Sequence, residues 1–540
     1  MRSWITWPVL AASLVVLNGS LTFGNVWPTP KIRWENALSV ELAVGVLLLA
    51  VASQHARRLA RWPLPTIWVV LVAGHYLDVT APGLYGRDFN LYWDSQHLGN
   101  VAAMLAKAVP PWLIVLAGAA LLLVVGVTWL VARLALGHVA AAMAHPRPRR
   151  VLTALSLLTI GAYMATGVPE RASAGAMFAA PVTNAYARQA RFVLAMAGPD
   201  RAAPGLAPSP QMDTALAGLD GADVLLVFVE AYGAVTYDNP AFAQALAPSR
   251  HDLAAAASDA GRDVVSAFVE SPTFGASSWL AHLTLLTGVE VRDQYAYVAV
   301  MTSSRDTLPK AFRRQGYRSV GLMPGMRQSW PEGAFYGFDH IYGREGLQYT
   351  GPNFGWWSIP DQYALAKLDA LELGGTGRAP RFVVFPTSTT HAPFGPVAPY
   401  QPDWPKILTG SPFGAGEAER ALAENPDLTN LSPSYLRAMA YEFTTFAGYV
   451  REHAGDNQVM ILIGDHQPVA AVSGRGASYD VPIHVIGGAG PVMERLRAAG
   501  FTPGLDPAHP AIGPMHDLVP VLLEAFGPAP SSLPKALATP

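Results

Sequence analysis

Apolar positions fall into two regimes along the chain. Up to residue 170 they form long unbroken runs, at 4–27, 37–53, 64–85, 111–136 and 151–168. Each run is near the ~20 residues that a membrane-spanning helix needs. Beyond residue 220 the runs shorten to strand length and alternate with amphipathic stretches. Strands are predicted at 223–229, 264–268, 317–322, 381–386, 458–464 and 481–486, and helices at 240–259, 305–315, 361–372, 433–452 and 490–499. Alternation at this spacing predicts a largely parallel sheet with helices on both faces. The segment 171–220 is rich in Ala, Pro and Gly and reads as a connector with one helix near 184–196. The expected organisation is a five-helix transmembrane domain over 1–170, a linker over 171–220 and an α/β domain over 221–540.

Basic residues orient the apolar runs. Arg57, Arg58 and Arg61 lie between the second and third, and Arg133, Arg147, Arg149 and Arg150 surround the connection between the fourth and fifth. Both connections are expected on the cytoplasmic side. Lys31 and Arg33, in the first connection, run against the pattern. Five spans then put everything after residue 170 outside. The expectation is a multi-pass protein of a bacterial inner (plasma) membrane with its α/β domain on the periplasmic, extracytoplasmic side. Trp4, Trp7, Trp27 and Trp112, near run ends, suit interfacial anchors. The aromatic and charged loop 85–94 and the amphipathic stretch 97–105 read as an interfacial helix.

Composition agrees. Of 540 residues 51% are hydrophobic and 14% charged, against about 25% charged in ordinary soluble domains. A net charge of −2 supplies no global basic field for nucleic acid. Cysteine is absent, which excludes a disulfide framework and a thiolate metal site. Histidine, carboxylate and hydroxyl groups must carry any metal chemistry.

Four polar sites stand at the ends of apolar strands. Glu230 closes the run Asp223–Val229, and Asp465-His466 closes Gln458–Gly464. In open α/β sheets ligands bind outside the carboxyl ends of strands. Gly275-Ala276-Ser277-Ser278 leads into a predicted helix, where a hydroxyl near the N-terminus sits in a positive partial field. Thr390-His391-Ala392-Pro393-Phe394 follows the strand at 381–386. Each alone reads as a cap or turn residue. Four in one domain are hard to explain as independent caps. Of the other histidines, His282 reads as packing or exposed, His340 as a turn residue, His484 as a possible support and His516 as a helix cap. Arg327 and Arg344 suit a phosphate, with no spacing to support them.

The order of these motifs, Glu230 after a strand, Gly275-Ala276-Ser277, Thr390-His391-Ala392-Pro393-Phe394, then Gly464-Asp465-His466, resembles the alkaline phosphatase superfamily. With five spans ahead of it, the chain is similar to the lipoteichoic acid synthase type of phosphoglycerol transferase. The resemblance implies one divalent metal ion (Mn, Mg or Zn) held by Glu230, Asp465, His466 and the nucleophile hydroxyl. By its offset from Gly275 the nucleophile is Ser277, with Ser278 as the fallback. His391 matches a contact to the substrate phosphate, and Trp357 falls in a headgroup-binding segment. The implied reaction moves a phospholipid headgroup phosphoryl unit, phosphoglycerol first, through a covalent phosphoserine onto a glycan or envelope acceptor. The implied partners are a membrane phospholipid donor, that acceptor and the lipid bilayer. The alternatives are a phosphodiesterase or sulfatase-type hydrolase of the same fold, a phosphoethanolamine transferase, and a non-enzymatic membrane sensor. Neither Ser271 nor Ser277 begins the Cys/Ser-x-Pro-x-Arg pattern of formylglycine sulfatases, and the lack of cysteine argues against the phosphoethanolamine branch.

Overall fold

The computed structural model describes residues 7–528, apart from 27–28, 53–54, 86–88, 97–98, 100–109, 167–176, 198–205, 327–329, 356–358, 376 and 489. The chain divides into two units, Met1–Ala202 and Ala203–Pro540.

Every expected apolar run in the first unit contains a helix: α1 (Trp7–Gly19), α2 (Val40–Val51), α3 (Pro63–Tyr85), α4 (Pro111–Ala142) and α5 (Pro146–Thr166). Among the described residues only two are long and apolar enough to cross a membrane: Pro63–Pro82 within α3, and α4. At 1.5 Å per residue, the 13 residues of α1 and 12 of α2 rise only about 20 Å, short of a ~30 Å hydrocarbon core. Polar side chains join the end of α1 to the start of α2. Asn18 Nδ2 donates to the Ala37 carbonyl at 2.7 Å and Asn18 Oδ1 accepts from Ser39 N at 2.9 Å. Ser39 in turn caps α2 by accepting from Leu42 N. The helix of the fifth run begins ahead of it, with Pro146-Arg147-Pro148-Arg149-Arg150, which makes α5 less apolar than its tail suggests.

Leu10, Leu17, Val46, Leu49, Trp68 and Leu136 share the core of this unit. Ala56 and Ala60 join Val139 and Met143 in the same cluster, which brings the two arginine-bearing turns to one end of the bundle. Leu121, Leu122, Leu123 and Val124 of α4 are exposed. A helix, whose backbone groups are satisfied internally, can present such a stripe to lipid. The connector helix is α6 (Val182–Ala197), which belongs to the first unit, whereas Met212, Leu216 and Leu219 join a core of the second. The amphipathic stretch 97–105 lies almost wholly outside the described residues.

The second unit is built on one sheet of eight strands: β1 (Asp223–Val229), β2 (Arg262–Glu270), β3 (Arg318–Leu322), β4 (His340–Tyr342), β5 (Arg381–Pro386), β6 (Gln458–Gly464), β7 (Asp480–Gly488) and β8 (Thr502–Pro503). Their order is β8-β2-β7-β6-β1-β5-β3-β4. The five strands from β6 to β4 run parallel, and the pairs at the other edge are antiparallel. Every residue of β1 is buried, and its side chains alternate between two cores. Val224, Leu226 and Phe228 face a layer that includes α7 (Ser278–Thr287) and the helix Leu518–Phe526. Leu225, Val227 and Val229 face Pro240–Asp259, Asp361–Leu368 and Ser432–Glu452. Burial on both faces is why the central strands read as continuous apolar runs. β4 and β8, which no periodicity predicts, are edge strands of three and two residues.

At the strand ends remote from Glu230, Glu372 gathers Arg318 Nη2 at 2.9 Å, Arg381 Nε at 2.8 Å and Tyr342 Oη at 2.8 Å. Burial alone would raise this carboxyl; the hydrogen bonds from Arg318, Tyr342 and Arg381 outweigh it and bring its pKa down to about 2. A depressed folded-state value contributes stability above the unfolded pKa near 4.3, lost as pH falls toward the folded value. Glu372→Gln is therefore expected to cost roughly 2 kcal/mol at pH 7. The gap from wild type should close between pH ~4.5 and ~2 in thermal unfolding scans. A gap independent of pH would contradict this role.

Candidate active site

The register of two strands creates the site. β1 and β6 pair in parallel with Val229 beside Gly464, so the next residue on each, Glu230 and Asp465, emerge together at the carboxyl edge. The chain after β1 turns directly over β6: a Cβ on Gly464 would lie 1.8 Å from the Tyr232 carbonyl oxygen. Only glycine permits that approach. Asp465 Oδ1 accepts from Ala231 N at 2.8 Å and His466 N at 2.7 Å. Its Oδ2 is buried and makes no hydrogen bond among the described residues.

His466 Nδ1 lies 2.8 Å from the Gln467 carbonyl. A carbonyl can only accept, so Nδ1 carries the proton and Nε2 presents a lone pair. That Nε2 is 3.6 Å from Glu230 Oε1 and 3.7 Å from Asp465 Oδ2. One ligand atom from each of Glu230, Asp465 and His466 lies within 4.8 Å of the others, and all three residues are buried. Burial, then the charge of Asp465, pushes the Glu230 carboxyl well above its ordinary pKa, with the Ser278 hydroxyl opposing the shift. Two carboxylates held this close, with no Lys or Arg paired to either among the described residues, suit a dication.

The loop from β2 to α7 brings the hydroxyls. Ser271 Oγ donates to the Asp465 carbonyl at 2.5 Å, and Gly275 N donates to the Gln467 carbonyl at 3.0 Å. These bonds staple the loop to the Asp465–Gln467 turn. Ser277 is the N-cap of α7, buried in a left-handed conformation at φ 70°, and its hydroxyl makes no hydrogen bond among the described residues. Ser278 Oγ donates to Glu230 Oε2 at 2.9 Å and lies 3.1 Å from His466 Nε2. The hydroxyl hydrogen-bonded to the cluster is that of Ser278, the fallback, and Ser277 stands next to it in the chain. The left-handed residue at the cap turns the chain by one position. Ala231 and Phe394 also sit at positive φ, 55° and 67°, beside Glu230 and His391. Strain of this kind persists where surrounding structure enforces it.

β5 leads to Thr387, whose Oγ1 accepts from Glu230 N at 3.1 Å. Asp361 then shapes the following turn: its carboxylate accepts from Ser388 N at 3.0 Å, Thr389 N at 2.7 Å and Thr389 Oγ1 at 2.5 Å. His391 Nδ1 donates to the Ala392 carbonyl at 2.8 Å. Burial lowers the His391 pKa, more than the Ala392 hydrogen bond raises it. His391 lines a cavity with Ile359, Pro360, Ser388, Thr389 and Ala392. Glu442, fully buried behind this turn, has a pKa well above the ordinary value, through burial first and the Asp361 charge second.

Arg327 and Trp357 lie outside the described residues. His340 begins the edge strand β4 and rests on Tyr342. His484 has both ring nitrogens engaged, by Ser266 Oγ at 2.6 Å and Tyr232 Oη at 2.8 Å. His516 lies in a short turn of helix before Leu518–Phe526. Three residues at the site escaped the motif reading. Thr387 and Asp361 carried no signal beyond a strand end and a helix start. His282 stands four residues after Ser278, a spacing that could have placed both on one helix face.

No family model matches this chain, and no curated protein matches it. Solved structures similar to it include a protein of the alkaline phosphatase superfamily from Vibrio parahaemolyticus, 18% identical over 60% of this chain and 69% of that one, TM-score 0.36. Another is the phosphoglycerol transferase GacH of Streptococcus pyogenes, solved with sn-glycerol-1-phosphate. It is 12% identical over 57% and 76%, TM-score 0.35. A third is the integral membrane lipooligosaccharide phosphoethanolamine transferase A of Neisseria meningitidis, 14% identical over 89% of each chain, TM-score 0.39.

Two substitutions separate the buried acids behind His391. Glu442→Gln is isosteric with a protonated carboxyl and should change stability by less than about 1 kcal/mol at pH 7. Asp361→Asn replaces an acceptor with a donor facing two buried N–H groups and should cost about 2–3 kcal/mol. Thermal unfolding of both variants checks the pair, and equal losses would refute the neutral state of Glu442.

Proposed function

We propose that this chain is a metal-dependent transferase that moves a phosphoryl-bearing phospholipid headgroup, phosphoglycerol by preference, onto a glycan or other envelope hydroxyl. The observation that carries the reading is the Ser278 hydroxyl, hydrogen-bonded to Glu230 and His466 inside a buried group of metal-ligating side chains. The alkaline phosphatase superfamily is the family this motif order suits.

The donors fit a divalent cation. Ser278 to Glu230 and His466, and His466 to Glu230 and Asp465, span 2.9–3.7 Å, within the ~4.2 Å that two bonds of about 2.1 Å allow, and Asp465 Oδ2 makes no hydrogen bond among the described residues. Glu230, Asp465, His466 and Ser278 would hold the ion, which offsets charge on phosphoryl oxygens and lowers the pKa of a nearby hydroxyl. Ser278 Oγ, giving up its proton along its hydrogen bond to Glu230, attacks phosphorus; a P–O bond forms to serine, and the P–O bond to diacylglycerol breaks. The leaving oxygen takes up a proton. His391, through Nε2, holds a phosphoryl oxygen or carries the proton, its other nitrogen being committed to Ala392. An acceptor hydroxyl then reverses the geometry, losing its proton as it displaces Ser278 Oγ. The Asp361-bound turn keeps His391 in place, and the buried walls of the site exclude competing water.

The first unit suits a membrane anchor of at least two spans, with the arginine-bearing turns in the cytoplasm and the second unit on the extracytoplasmic side. Anchoring at the bilayer would raise the effective concentration of lipid headgroups.

The test uses purified full-length protein in proteoliposomes with headgroup-labelled phosphatidylglycerol and Mn²⁺. Peptide mass spectrometry should find the label on Ser278. Ser278→Ala should abolish labelling and reduce turnover by more than about 10³-fold, while Ser277→Ala should retain a labelled Ser278. Label on Ser277, or none with free glycerol phosphate as the only product, would overturn the reading in favour of the alternative residue or of hydrolysis.

A further inference from the structure

We infer that His282 is an additional nitrogen ligand to the same cation, joining Glu230, Asp465, His466 and Ser278. The inference rests on the metal-dependent reading above and extends it. His282 lies one helical turn after Ser278 on α7, so both side chains leave the same face of the helix. Its ring packs on Phe228 of β1, with centroids 4.4 Å apart. Its Nε2 faces the Asp465 carboxylate.

Two buried polar atoms face each other there. His282 Nε2 and Asp465 Oδ2 are 3.9 Å apart, and neither makes a hydrogen bond among the described residues. A buried unsatisfied polar atom costs roughly 1–3 kcal/mol, and native structures contain few of them. At 3.9 Å the two atoms are too far apart to hydrogen-bond. They are not too far apart to share an ion, since ligand atoms on one dication stand up to about 4.2 Å apart. Asp465 Oδ2 thus stands between two imidazoles, 3.7 Å from His466 Nε2 and 3.9 Å from His282 Nε2.

The consequence is chemical. Two imidazoles beside two carboxylates and a hydroxyl form a mixed nitrogen and oxygen site. Such a site favours a first-row transition dication over Mg²⁺, which prefers oxygen donors.

The experiment uses the full-length protein in detergent, stripped with chelator and titrated with Co²⁺ and with Mg²⁺. Wild type should bind one Co²⁺, in preference to Mg²⁺, with visible d–d bands. Pulsed electron resonance of the Cu²⁺-loaded protein should resolve two imidazole nitrogens. His282→Ala should bind Co²⁺ about 100-fold more weakly, shift the d–d bands and show one imidazole. Where His282→Ala unfolds, His282→Gln is measured in its place, with metal-free melting equal to wild type as the control. Unchanged affinity and spectrum in the variant would overturn this inference and leave the metal reading standing. Weaker binding with two imidazoles still present would also overturn it, making His282 a positioning residue. A wild type that binds no cation would overturn the metal reading itself.

Discussion

The parallel pairing of β1 with β6 imposes one constraint on everything around it. Because Val229 sits beside Gly464, two acids leave adjacent strands into one dry corner. Neighbouring carboxylates out of water resist ionising together unless a positive charge is supplied. Among the described residues no Lys or Arg side chain supplies one; backbone N–H groups of Ala231 and His466 satisfy one oxygen of Asp465 and leave the other open. The serine loop, the His466 tautomer and the turn carrying His391 are each fixed by hydrogen bonds to these same strand ends. The corner costs stability, and the two apolar layers flanking β1 offset it.

The strained residues fit that description. Ala231, Ser277 and Phe394 take left-handed conformations directly beside Glu230, Ser278 and His391. Each redirects the chain just where a side chain must reach the corner. Gly464 serves the same end differently, by letting the Tyr232 carbonyl lie where a Cβ would stand.

Much of the α/β unit was legible in the residues, for a physical reason. Strands buried on both faces are apolar throughout, and those at 223–229, 381–386 and 458–464 were delimited to the residue. The edge strands His340–Tyr342 and Thr502–Pro503 are too short for any period to register. Within the site, Glu230, Asp465 and His466 were readable because a polar group abruptly ends an apolar run. For the serine, motif offset gives Ser277, whereas the hydroxyl hydrogen-bonded to Glu230 is that of Ser278, and no spacing announces the left-handed cap between them. His282 looked like packing because its partner, Asp465, is 183 positions away in sequence and adjacent only through the sheet. In the first unit each apolar run contains a helix, whereas the short helices Ala56–Leu59 and Leu91–Gln96 carry no hydropathy signal.

The proposed cation has one address, and diffraction can locate it directly. Crystals of the metal-loaded protein, with data collected at the absorption edge of the added Mn²⁺ or Zn²⁺, should show one strong anomalous peak. It should lie about 2–2.3 Å from Glu230, Asp465 Oδ2, His466 Nε2 and Ser278 Oγ. Well-ordered density with no anomalous peak there, and the Glu230 and Asp465 carboxyls sharing a proton instead, would contradict it.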